Sequence, residues 1–154
     1  MPKKTCLIFQ AILLIWFFLD MIGIYFGDGR CLVERSYADD GPFFLIYLAC
    51  FVLFILKENI GKWMMAGWLV MWFLIQFLSH EWYTIFGCGI MGTLEGKIKY
   101  FSNTLHWTNN QDRYFPDVYH TILHILILLA LFMNIFYIVS LGRKRKNNYY
   151  SFSE

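Results

Sequence analysis

The chain has 154 residues, of which 58% are hydrophobic, 21% aromatic and only 16% charged, and its mean hydropathy is +0.48. A soluble domain carries roughly 25% charged residues, so the composition excludes an ordinary soluble enzyme and points to lipid. The formal net charge of +2 is too small to support a nucleic-acid interface, and no nucleic-acid partner is expected.

Four apolar runs divide the chain, over residues 7–26, 43–56, 63–86 and 118–141. Crossing the hydrocarbon takes ~20 helical residues, which the first, third and fourth runs provide. The second is shorter and spans if Gly41 and Pro42 open it and Lys57 snorkels at its far end; a re-entrant segment is the alternative. The predicted fold is an all-α integral membrane protein. It has four antiparallel transmembrane helices, about 7–26, 41–57, 63–86 and 117–141, in a domain covering 1–142, followed by a basic cytoplasmic tail over 143–154.

Orientation follows from the cations. Lys3, Lys4, Lys57, Lys62 and the run Arg143-Lys144-Arg145-Lys146 fall on one side. Arg30, Arg35, Lys97, Lys99 and Arg113 are diluted over two longer loops on the other, together with most of the acids. Both termini are therefore expected in the cytoplasm, with the protein multi-pass in the cell membrane. The first run resembles a signal peptide, but it is too long and lacks a small-x-small cleavage site, so a retained anchor is expected. By the same topology Cys6 and Cys50 are kept from the outer loops, leaving Cys31 and Cys88 as the one pair able to form a disulfide in an oxidising compartment. Two free thiols are the alternative.

In chain order, Gly27-Asp28-Gly29 signals a turn after span one, and the acidic loop over 28–40 follows. Asp39-Asp40-Gly41-Pro42 reads as a helix start, with a carboxylate near the cap and Pro where its missing N–H costs nothing. The short turn over 57–62 makes spans two and three antiparallel neighbours. Trp68, Trp72, Gln76 and His80 recur every four residues and form one ridge of span three. Gly87-Cys88-Gly89-Ile90-Met91-Gly92 fits G-x-G-x-x-G, but it follows a membrane span rather than a strand and is read as a flexible turn.

Beyond it, Leu94, Ile98, Phe101 and Leu105 share one helical face, which predicts a short amphipathic helix in the outer interface between spans three and four. A turn is expected over 109–112. Pro116-Asp117 then opens span four, with Asp117 at the positive end of its dipole. The tail is read as disordered, its cations suited to an anionic inner leaflet.

All four histidines lie within 76–124. At 1.5 Å per residue, Asp20, His80 and His124 each sit ~9 Å below the outer end of their spans. A charged side chain costs ~2.5–3.5 kcal/mol at a helix centre, so these groups are expected to face inward. Asp20, Gln76, His80 and His124 are the expected intramembrane polar layer. Asp117, His120 and His124 follow i, i+3, i+7, and with Asp20 they form a candidate set for a divalent metal. His80-Glu81-Trp82-Tyr83-Thr84 fails H-E-x-x-H at Thr84, and His80 and Glu81 are about 100° apart on a helix.

The first functional expectation is a non-enzymatic assembly or interaction subunit whose polar layer holds the helices together. Its partners would be the lipid bilayer and a second copy or a partner membrane subunit. The alternatives are a membrane-embedded metal-binding protein or enzyme with a site near the extracytoplasmic face, and a small proton or cation transporter or channel subunit.

Overall fold

The computed structural model describes residues 1–108 and 113–151; the turn expected over 109–112 and the last three residues of the tail lie outside the described residues. In chain order the elements are α1 (Lys3–Ile22), β1 (Ile24–Tyr25), β2 (Cys31–Val33), α2 (Gly41–Leu56), α3 (Glu58–Ser79), α4 (Glu81–Phe86), α5 (Leu94–Tyr100) and α6 (Val118–Ser151). Three stretches, Lys3–Ile22, Glu58–Phe86 and Val118–Arg143, are long and apolar enough to cross a membrane, and α2 is a shorter apolar helix.

The long elements close a ring of contacts: α1 packs on α2 and α6, and α3 packs on the same two. Inside it Leu13, Phe17, Tyr47, Leu69, Trp72 and Leu123 are fully buried. Trp72 lies between the rings of Phe17 and Tyr47, with centroids 4.5 and 5.4 Å away. Lipid is as apolar as Leu, so close packing rather than escape from water holds such a core. Aromatic pairs add about 0.5–1.5 kcal/mol each.

Helix α1 ends four residues before the expected limit. Gly23 takes φ +71°, and its N–H bonds to the Leu19 carbonyl at 2.8 Å. The following Ile24 and Tyr25 pair antiparallel with 31–33, so a small hairpin replaces the last turn of the expected span and the fold is not purely helical. Gly27-Asp28-Gly29 forms its tip, where the Arg30 guanidinium bonds to the Asp28 carboxylate at 2.5 Å. A Cβ on Gly23 would lie 2.6 Å from Tyr25 Cε2 and 3.0 Å from the Arg35 nitrogen. Gly23→Ala is therefore expected to cost about 1–3 kcal/mol, from backbone strain plus the clash, read as a lower unfolding midpoint in detergent.

The third apolar run is also interrupted. His80 leaves helical geometry at φ −127°, ψ −66°, so α3 stops at Ser79 and α4 restarts at Glu81. Helix α6, by contrast, continues to Ser151 rather than ending near 141. The hairpin, α4, α5 and the approach to α6 lie together at one end, referred to below as the capped end. There Leu94 and Ile98 of α5 pack against a cluster of Tyr83, Phe101 and Tyr114.

Candidate functional site: an acid–base cavity at the capped end

Each long helix delivers polar side chains to the capped end, and they meet around a cavity of about 230 Å³. Helix α1 supplies Asp20, the α2 cap Asp40, the α3 terminus Gln76 and His80, α5 Lys97, and α6 His120. Of the expected polar layer, Asp20, Gln76 and His80 thus line the same cavity. His124 stands behind it, its ring centroid 5.3 Å from that of His80.

Asp20 is 4% exposed and lines the cavity together with Asp40, near enough for the two carboxyls to interact. Burial pushes the Asp40 carboxyl above its ordinary range, against the lowering from nearby Asp20 and His120. A raised carboxyl pKa favours folding at acid pH, and that contribution is lost as pH rises through the folded value. Asp40→Asn should therefore raise the thermal midpoint at neutral pH, with the gain fading as pH falls below the ordinary carboxyl range. A midpoint lowered at neutral pH would contradict this sign.

Asp117 is fully buried at the entry to α6. Its Oδ1 accepts both the His120 backbone N–H and the His120 Nδ1–H, each at 2.8 Å. The first bond caps the helix; the second fixes the ring tautomer. Nε2 is left without a hydrogen-bond partner among the described residues on a ring that forms part of the cavity wall. The His120 ring also stacks on His80, with centroids 4.3 Å apart and planes 25° apart. His80 in turn accepts the Tyr114 hydroxyl at Nδ1, 2.5 Å away.

His124 faces another way. Its Nδ1–H donates to Glu81, and its Nε2 lies 3.2 Å from Gln76 Oε1. The break at His80 is what makes this contact available. It re-aims α4, so that Glu81 reaches α6 despite following His80 directly. Asp117, His120, His124 and Asp20, the candidate metal set, are thereby distributed over three separate pairs: Asp117 with His120, Glu81 with His124, and Asp20 with Asp40. Among the described residues, no group of three His, Cys, Asp or Glu side chains is arranged to hold a metal ion.

Lys97 supplies a cation that the spacing of the polar layer did not indicate. Its amine lies over the rings of Phe101, Tyr83 and Tyr114, with centroids 5.0, 5.7 and 5.9 Å away. Burial lowers its pKa, while Asp40 and Asp117 work in the opposite direction. The fourth histidine, His106, stands apart and bonds the Phe101 carbonyl at 2.7 Å.

Below the cavity the packed side chains are apolar. Phe17, Leu13, Trp72, Leu69, Leu123 and Ile127 are all essentially inaccessible. Past them a second polar group is closed on itself. Gln10 bonds the Ala130 carbonyl and accepts the Tyr47 hydroxyl, and Asn134 bonds the Lys62 carbonyl.

The structure does not bring Cys31 and Cys88 together. Cys31 is buried in β2 with its thiol on the Asn103 carbonyl, Cys88 is exposed in the glycine turn, and both thiols are free.

Asp40, Lys97, Tyr114 and the Glu81–His124 contact escaped the reading of the sequence. Asp40 carried a signal as an acidic cap. Lys97 carried one only as one of two lysines on a short amphipathic helix. Tyr114 carried none. No protein-family model, curated protein or solved structure matches the chain.

Proposed function

We propose that the protein is a membrane-embedded acid–base enzyme that receives a small polar substrate from the extracytoplasmic side. The reading takes the protein as four antiparallel spans, with α2 the shortest, both termini cytoplasmic and α5 lying in the outer interface. The observation that carries it is the Asp117–His120 pair: a buried carboxylate orients an imidazole whose ring lines a cavity that also carries Asp20, Asp40 and Lys97. That is the arrangement a general base requires. His120 is the base, Asp117 its positioning residue, and the Asp20–Asp40 pair the proton donor.

A water-soluble imidazole reagent applied to sealed, right-side-out vesicles provides the test. Diethyl pyrocarbonate should modify His120 several-fold faster than His80 or His124, because His80 and His124 are only 3% and 6% exposed, the acceptor nitrogen of His80 is taken by Tyr114 and both nitrogens of His124 have partners. Equal rates for the three, or an inert His120, would remove the reading.

A second reading keeps part of the polar layer for assembly. The His80–Tyr114 and His124–Glu81 bonds tie α3 and α4 to α6 and the loop before it, each worth roughly 0.6 kcal/mol in a membrane setting. Association with a second copy or a partner subunit belongs to this reading. A transport function receives less support, since fully buried apolar side chains underlie the cavity.

A further inference from the structure

The charges of the cavity are opposed but do not neutralise one another. Asp40 and Lys97 are near enough for each to shift the other's titration. Yet among the described residues neither takes part in an ion pair. The reason is mechanical: three aromatic faces hold the Lys97 amine, while Asp40 lines the cavity beside Asp20. A partly desolvated carboxyl pair and a partly desolvated ammonium therefore face the same empty volume from different walls.

Opposite charges in one cavity select for a ligand that carries both signs in reverse order. Glu34 and Asp39 also line the cavity, so a simple anion would meet a mainly acidic lining, and a simple cation would bring no anion to Lys97. We propose that the cavity binds a zwitterionic group of the phosphoethanolamine type. Its primary ammonium donates to Asp20 and Asp40, and its oxyanion rests against Lys97 and His120. This identification rests on the reading of the cavity as a ligand site.

Two details narrow the class. At about 230 Å³ the cavity is smaller than the ~300 Å³ at which pockets for drug-sized ligands begin, so it suits a headgroup or a comparably small free zwitterion. Carboxyl oxygens gain most from N–H donors, and a quaternary choline nitrogen has none. Ethanolamine chemistry therefore fits better than choline chemistry.

The test uses the full chain in phosphatidylcholine nanodiscs, with free phosphoethanolamine, phosphocholine, ethanolamine and inorganic phosphate added in turn. Parallel discs contain phosphatidylethanolamine or phosphatidylglycerol. The readouts are the thermal midpoint and calorimetric affinity. Phosphoethanolamine should bind at least about tenfold more tightly than phosphocholine, ethanolamine or phosphate, and Lys97→Gln or Asp40→Asn should each remove that preference.

Stabilisation by the free compound alone identifies a soluble zwitterion, and stabilisation in phosphatidylethanolamine discs alone identifies a lipid headgroup; either result supports the proposal. Ethanolamine or phosphate binding as well as phosphoethanolamine overturns it. If no probe binds while His120 keeps its selective reactivity, the zwitterion proposal fails and the acid–base site stands. If His120 is inert as well, both fail. Two variants are used because Asp40 also sits at the α2 cap, whereas Lys97 lies on an element with no fully buried residue.

Discussion

Gly61→Val is expected to abolish the folded state in mild detergent, seen as loss of the monodisperse species and of cooperative unfolding. Helices α2 and α3 are joined by almost no loop, Lys57 being shared as the cap of both. The chain therefore doubles back with its backbones in contact. A Cβ at Gly61 would overlap the Phe54 Cα and nitrogen and would lie 2.6 Å from the Leu53 carbonyl carbon. These are backbone atoms of a regular helix, and no rotamer change can move them aside. Overpacking of a relaxed core costs typically 1–3 kcal/mol; here the collision is with main chain, so a cost above about 3 kcal/mol is expected. Gly67→Ala on the same helix serves as the control. An added Cβ there meets nothing within 4 Å, and replacing a mid-helix Gly by Ala should gain about 0.5–1 kcal/mol. Equal behaviour of the two variants would show that α2 and α3 do not pack this closely.

Asp117→Ala is expected to cost on the order of 3 kcal/mol, the lower part of the range for breaking a buried charged pair by removing one partner. The loss has two sources. The α6 N-terminus gives up the acceptor for the His120 backbone N–H, and the His120 ring gives up the group that sets its orientation. Asp117→Asn retains an oxygen acceptor and should recover part of the stability. The two effects separate in measurement: unfolding reports the cap, whereas the His120 modification rate reports the ring. Wild-type values for both in Asp117→Ala would contradict the role given to this carboxylate.

The three helices long and apolar enough to cross a membrane, 3–22, 58–86 and 118–143, were legible because hydropathy over twenty residues is a strong signal. Asp20 and His80 do line one cavity, but the expected depths of Asp20, His80 and His124 were counted along uninterrupted helices, and α1 ends at Ile22 and α3 at Ser79. The shared face of Asp117, His120 and His124 was legible from their spacing, but it was read as a metal set, whereas of the two histidines Asp117 pairs with His120 alone. What the sequence concealed depends on backbone events that hydropathy cannot register. Apolar and aromatic residues resume on both sides of Ser79-His80-Glu81, so averaged hydropathy does not mark the break that turns Glu81 toward His124. The hairpin of β1 and β2 is too short for an alternation to stand out, and Gly23 ends α1 within a run that still reads as hydrocarbon. Lys97 and Tyr114 come from a connection of some thirty residues, whose course over the capped end is set by packing on Tyr83 and Phe101 rather than by any local pattern.

Phe17, Leu69 and Trp72 beneath the cavity carry a kinetic consequence. Among the described residues apolar packing closes the floor, so whatever enters from the capped end must leave toward the capped end. An occupant and its replacement cannot pass each other, and displacement by a competitor can be no faster than unassisted departure. Tracer release should therefore proceed at one rate whatever the excess of unlabelled compound outside, and acceleration by that excess would reveal a second exit.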